Sequence, residues 1–407
     1  MNNDGFVVKW ARVALHFLVF SALAGVLLRF YNIDPIDGLN YKFLMHTHSH
    51  IALLGWLYLA FTVVLVREFL PGEFKWFNRI FITTLFTVIG MMLSFPFQGY
   101  GVVSITFSTL FLFTSYWFVY EFLRRLRDTK KKSVAINFVQ WALFFLVISS
   151  LGPWALGPII LFGGSYGKLY SLSIYYYLHF LYNGFFILAL LSIVLKQLDN
   201  NAITYNGKRA KKFFQLTVYA VIPAYALSAL WIKPPVWVFV LGAIAGVMQL
   251  FGLLYGWSIL KVYQRTLKLK FYQLIFWVVL VAYSLKLLMQ VMSALPEVAS
   301  YIYETRMFTA IGYIHLVMLG ILSLFSLTYF IVNNIYRDHL LSKAGLTIFL
   351  CGLVLSEIIL FVNGIVLINF GYAIPNYSGW MFSTSLLMPV GLFIFWFVQL
   401  REKADSI

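Results

Sequence analysis

Twelve apolar stretches, each of about 20 residues, run the length of this 407-residue chain. In hydrocarbon, every backbone N–H and C=O must find its partner inside the protein, so such stretches cross a bilayer as helices. They fall at 8–30, 43–66, 77–97, 102–124, 136–158, 171–195, 212–232, 236–258, 271–293, 307–331, 344–367 and 379–399. The expected fold class is an all-α membrane protein of about twelve transmembrane helices, one polytopic domain over 1–407. Composition agrees: 62% of residues are apolar and 11% charged, against roughly 25% charged in soluble domains. A soluble chain of this composition would need a core larger than any single domain builds. The one cysteine, Cys351, lies inside an apolar stretch and rules out an internal disulfide framework.

The net charge of +16 invites a nucleic-acid reading, but its placement argues for topology. If the connections alternate between the two sides, one side collects 24 of the 30 Lys and Arg residues, including "RRLRDTKKK" and "KRAKK". The other side holds Arg29, Lys42, Lys168, Lys233, Lys286 and Arg306. The positive-inside rule then makes both termini cytoplasmic. No nucleic-acid-binding module is visible, so the bilayer is the expected partner. The first stretch carries Arg12 and His16 and no A-x-A-like site follows it, so it reads as a span and not as a cleaved signal peptide.

Three of the seven histidines repeat a pattern. His50 begins "HIALLG", His179 begins "HFLYNG" and His315 begins "HLVMLG". Each stands five residues before a glycine, near the start of an even-numbered span. With seven histidines and 27 glycines, chance gives less than one such pair. The separations of 129 and 136 residues each accommodate four spans. The chain therefore reads as three four-helix units, over 8–124, 136–258 and 271–399, each with a histidine on its second helix. All three histidines then lie at similar depth in the outer leaflet. Neutral imidazole is the common ligand of transition metals and of heme iron, so His50, His179 and His315 are candidate metal ligands.

The first unit adds His46 and His48. On a helix, positions 46 and 50 share a face and position 48 points the other way. An extended segment would instead let all three fan toward one ion. A lone membrane histidine that only hydrogen-bonds a neighbouring helix is the plain alternative for each. His16 has a looser claim, and His339 sits in the solvated connection "YRDHLL".

Twelve spans in three four-helix arcs, with "HTHSHIALLGW" leading the second, resemble the catalytic subunit of the heme-copper oxidase and nitric oxide reductase superfamily. That stretch is also similar to the corresponding segments of divergent members and of NnrS-type membrane proteins. The resemblance implies a b-type, non-covalent heme and/or copper. It implies that one of His46, His48 and His50, together with His315, holds a heme, with His179 on the copper-side helix. It further implies an electron-donor protein or quinol as partner, and a bacterial inner-membrane location. Span seven, "FFQLTVYAVIPAYALSALWI", has no histidine, and Tyr313 stands where a second tenth-span histidine would be. A single heme or a mononuclear metal site therefore fits the available ligands better than a heme-copper centre.

Other polar residues qualify this picture. Lys286 in span nine and Glu357 in span eleven are formal charges deep in apolar stretches, where ionisable groups face a bundle interior and serve proton paths or structural pairs. Arg29 and Arg306 flank the outer ends of spans one and ten. Guanidinium forks suit heme propionates, and interface anchoring is the simpler role. No G-x-x-x-x-G-K-[ST], H-E-x-x-H or C-x-x-C-H motif occurs, which argues against nucleotide hydrolysis, zinc proteolysis and covalent heme. The function expected is heme- and/or copper-based electron transfer or chemistry on a small diatomic such as O2 or NO. The alternatives are a metal-ion or proton-coupled transporter and a non-catalytic subunit of a membrane complex.

Overall fold

The computed structural model describes residues 3–128, 132–163 and 167–400; the side chains of 3, 4, 163, 306 and 307 lie outside the description. The described residues are helical almost throughout and include no strand. Among the described residues, eleven helices are long and apolar enough to cross a membrane, and a bent pair counts as a twelfth if it is one span. We number the spans α1 (Asn3–Tyr31), α2 (Tyr41–Phe69), α3 (Phe74–Gln98), α4 (Val102–Asp128), α5 (Val134–Phe162) and α6 (Lys168–Asn200). Then follow α7 (Gly207–Tyr219 with Val221–Ile232), α8 (Val236–Thr266), α9 (Lys270–Ser293), α10 (Phe308–Val332), α11 (Leu340–Phe370) and α12 (Tyr377–Leu400). The chain is thus an all-α protein of apolar helices of membrane-spanning length, eleven of them at expected positions and the bent pair at the seventh.

The exception to straightness is α7, which bends by 40°. Pro223 lies at the break. Its ring nitrogen has no hydrogen to donate, so the helix loses a bond there and kinks. The chain continues as a 3-10 turn over Tyr225–Ile232, ends at Lys233 with φ +55°, and meets Pro234 and Pro235.

The described residues fall into two compact units, divided between Tyr120 and Glu121 and between Phe325 and Ser326. In the unit of α1 to α3, α11 and α12, the α1 helix lies against α2 and against α12. Tyr336, in the turn after α10, donates its hydroxyl to the carbonyl of Ala11 on α1 at 2.6 Å. The α11 and α12 helices meet backbone to backbone, since a Cβ on Gly345 or Gly391 would strike the other helix. In the second unit α5 packs on α6, α7 on α8 and α8 on α9. Gly252 and Gly256 of α8 lie against Thr217 and Phe213 of α7.

Burial separates three helices from the rest. Along their most apolar stretch, α2, α6 and α10 are 78, 94 and 78% buried, whereas the other eight straight spans lie between 33 and 56%. These are the three spans that carry the repeated histidines His50, His179 and His315.

Candidate functional site

In each of the three buried spans, regular α-helix ends on the repeated histidine. A π-helical segment takes over on the next residue: Ile51–Tyr58 after His50, Phe180–Phe186 after His179 and Leu316–Ser323 after His315. Such segments shift the hydrogen-bond register by one residue and recur at functional sites. Each segment packs on the span before it, α1, α5 and α9 respectively. The glycine five residues beyond the histidine sits inside it. A Cβ on Gly55 would meet the Phe17 ring at 2.8 Å, and one on Gly184 would meet Phe145 at 2.6 Å. The local repeat of His, π segment and glycine is therefore present in the backbone as well as in the sequence.

The segment 41–50 is helical, started by Asn40, whose side chain accepts the N–H groups of Lys42 and Phe43. His46 and His50 consequently face one way and His48 the other. The His50 ring lies 4.3 Å from that of Phe95, and the His46 ring 4.5 Å from Tyr100. Tyr100 reaches this position because α3 stops at Gly99, with φ +55°, a left-handed turn suited to glycine. His48 turns to α1, where Gly25 leaves room for its ring.

Hydrogen bonds set the state of each ring. His50 Nδ1–H donates to the carbonyl of His46 at 2.8 Å, and His48 Nδ1–H donates to that of Ser21 at 2.8 Å. A carbonyl only accepts, so the proton sits on Nδ1 in both rings and the Nε2 lone pair is left as a donor atom. Among the described residues neither Nε2 meets a hydrogen-bond partner.

His179 differs. Its Nε2–H donates to the carbonyl of Val221 at 2.8 Å, and its Nδ1 accepts from Asn183 Nδ2 at 3.2 Å. Both nitrogens of this buried ring are engaged, which is the interhelical role of a structural histidine. Asn183 in turn bonds Tyr313, so the polar column two residues before His315 reaches α6. His315 itself is half-buried at the end of its α segment.

The remaining candidates are dispersed. Arg29 of α1 is the charged neighbour of both His48 on α2 and Glu357 on α11. Lys286 is 1% exposed on α9 and has His179 as its charged or titratable neighbour. Arg306 opens the helix that leads into α10, and its side chain lies outside the described residues. Among the described residues, no three His, Cys, Asp or Glu side chains converge as a metal-holding group.

The repeat extends beyond the histidine and the glycine. Eighteen residues beyond each histidine stands a second polar residue: Glu68, Gln197 and Asn333. All three are engaged. Arg67 Nη1 contacts Glu68 at 3.0 Å, donates to Asn333 Oδ1 at 3.1 Å and donates to the Tyr329 hydroxyl at 2.7 Å; Tyr329 donates to Glu68. Gln197 accepts from the Tyr263 hydroxyl at 2.8 Å. The shared register was the available signal. Compared with known proteins, the chain matches no family model and no curated protein.

Proposed function

We propose that the protein is an integral-membrane redox protein that holds a b-type heme or a copper ion through His50, with His46, on the same helix face, as a further donor. The observation that supports this is the anchoring of His50 through Nδ1 to a backbone carbonyl. Metal-binding histidines use this arrangement to fix the tautomer and aim Nε2 at the metal. The donor set therefore fits heme iron or copper. Phe95 and Tyr100 line the His46–His50 face with aromatic carbon. Bound there, heme or copper supplies one-electron transfer. The chain's own part is to hold the imidazole neutral, orient it, and offer the positive charge of Arg29 to an acidic group nearby.

The experiment is an optical spectrum with iron and copper analysis of the purified protein. A Soret band or stoichiometric copper is expected, lost in His50→Ala and kept in His179→Ala. A colourless preparation free of both metals refutes the proposal. A proton- or metal-coupled transporter is the second reading, favoured by Lys286 and Glu357 within apolar spans. Uptake of Zn²⁺ or Cu⁺ by reconstituted vesicles, abolished in Glu357→Gln, would favour it.

A further inference from the structure

Between residues 201 and 296 the chain carries ten Lys and Arg residues and no Asp or Glu. Eight of the ten gather at adjoining helix ends. Lys208, Arg209, Lys211 and Lys212 open α7 and are exposed. Lys261 and Arg265 close α8, and Lys268 and Lys270 lead into α9. The ends are joined: Arg209 Nη1 donates to Ser258 Oγ on α8 at 3.4 Å, and the Trp257 and Trp277 rings of α8 and α9 lie 5.6 Å apart.

Some cations near helix ends elsewhere meet carboxylates, whereas Lys75, Arg79 and Arg337, among the described residues, do not. Arg67 pairs with Glu68 at 3.0 Å, Arg125 with Glu121 at 3.2 Å and Lys343 with Asp338 at 3.0 Å. Among the described residues, none of the eight cations forms such a pair. Topology alone needs positive charge beside a span; it does not need that charge to be left without a counter-ion.

We infer that this basic face, made by α7, α8 and α9, is a binding site for the phosphodiester headgroups of anionic phospholipid. Two observations favour lipid over a soluble anion. The Lys261 ammonium lies 5.8 Å from the centres of both the Trp257 and the Trp277 ring. Indoles anchor at the depth of the headgroups, and here they hold one cation at that depth. Beyond them, toward the middle of each span, α8 exposes Leu254 and Phe251 and α9 exposes Val281 and Leu285, an apolar flank for acyl chains. Basic clusters at span ends attract anionic headgroups in the same way.

The test titrates the full-length protein in detergent with phosphatidylglycerol or phosphatidylcholine and counts bound lipid by native mass spectrometry. Phosphatidylglycerol should bind at least about tenfold more tightly, and each of Arg209→Gln, Lys212→Gln and Lys261→Gln should weaken it by about fivefold. Lys343→Gln, which removes a paired cation, should leave it unchanged. Because Arg209 and Lys212 are exposed, each variant should melt as the parent does, and one that does not is replaced by Lys208→Gln. Equal binding of the two lipids, or parental phosphatidylglycerol binding in all three variants, overturns the inference. So does a single-stranded oligonucleotide that displaces the lipid at physiological salt, which would make nucleic acid the partner of this face.

Discussion

His50 and His179 stand at the same place in two helices, each the last residue before a π segment, yet they hold their protons on different nitrogens. Spacing alone revealed part of this. Four residues put His46 and His50 on one face, and two turned His48 away, as the rings at Phe95 and Ser21 bear out. What spacing could not reveal is the acceptor opposite each ring. The carbonyl of Val221 faces His179 from α7, 42 residues on in the chain, and no local pattern encodes such a meeting. The difference predicts opposite outcomes for the same substitution. His179→Ala leaves the Val221 carbonyl without its imidazole donor and removes one acceptor of the Asn183 amide, and should destabilise the protein by about 1–3 kcal/mol. It should leave any bound metal in place. His50→Ala frees only one carbonyl of its own helix, so its thermal midpoint should move less. Thermal unfolding of the two variants side by side checks this: equal shifts would remove the distinction drawn between structural and ligand histidines.

At the scale of the element, the spans were legible because about 20 apolar residues have one stable form in hydrocarbon. The π segments were not. A one-residue shift in register shows in sequence only when polar residues mark the helix faces, and Ile51–Tyr58 has none but the phenol of Tyr58. The glycine column was the visible trace, and the structure ties it to close packing of one span on the next. Gly184→Ala should therefore act through Phe145. The added methyl would stand 2.6 Å from the Phe145 Cβ, and overpacking of this kind costs about 1–3 kcal/mol. Phe145→Gly, which removes the Cβ as well as the ring, should be destabilising alone, yet should cancel much of the Gly184→Ala effect when combined with it. Strict additivity in the double variant would mean that the two residues do not meet. The kink of α7 was half-legible: Pro223 marks where the bond is lost, and neither the angle nor the 3-10 turn beyond it follows from the proline alone.

At the scale of the molecule, the sidedness of the chain turns on that kink. Eleven spans are unambiguous by length, so a twelfth decides on which side everything after residue 232 lies. Gly207–Ile232 extends about 39 Å at the rise of an α-helix, and a 40° bend still leaves enough to cross a core of about 30 Å. The charge pattern requires the same crossing. If α7 turned back, "KRAKK" before it and the Lys261–Lys270 stretch after it would lie on opposite sides, and the 24-to-6 division of cations would collapse. The basic face of α7, α8 and α9 would then have to straddle the membrane, although Arg209 bonds Ser258 at the far end of α8. Cysteine labelling settles the question on a Cys351→Ser background. A membrane-impermeant maleimide should reach Lys211→Cys and Lys268→Cys from one side, and Leu169→Cys and Val236→Cys from the other. These four positions are exposed, so access depends only on side. Labelling of Lys211→Cys and Val236→Cys from the same side would make α7 a re-entrant loop. It would reverse every later span and remove the basis for placing both termini together.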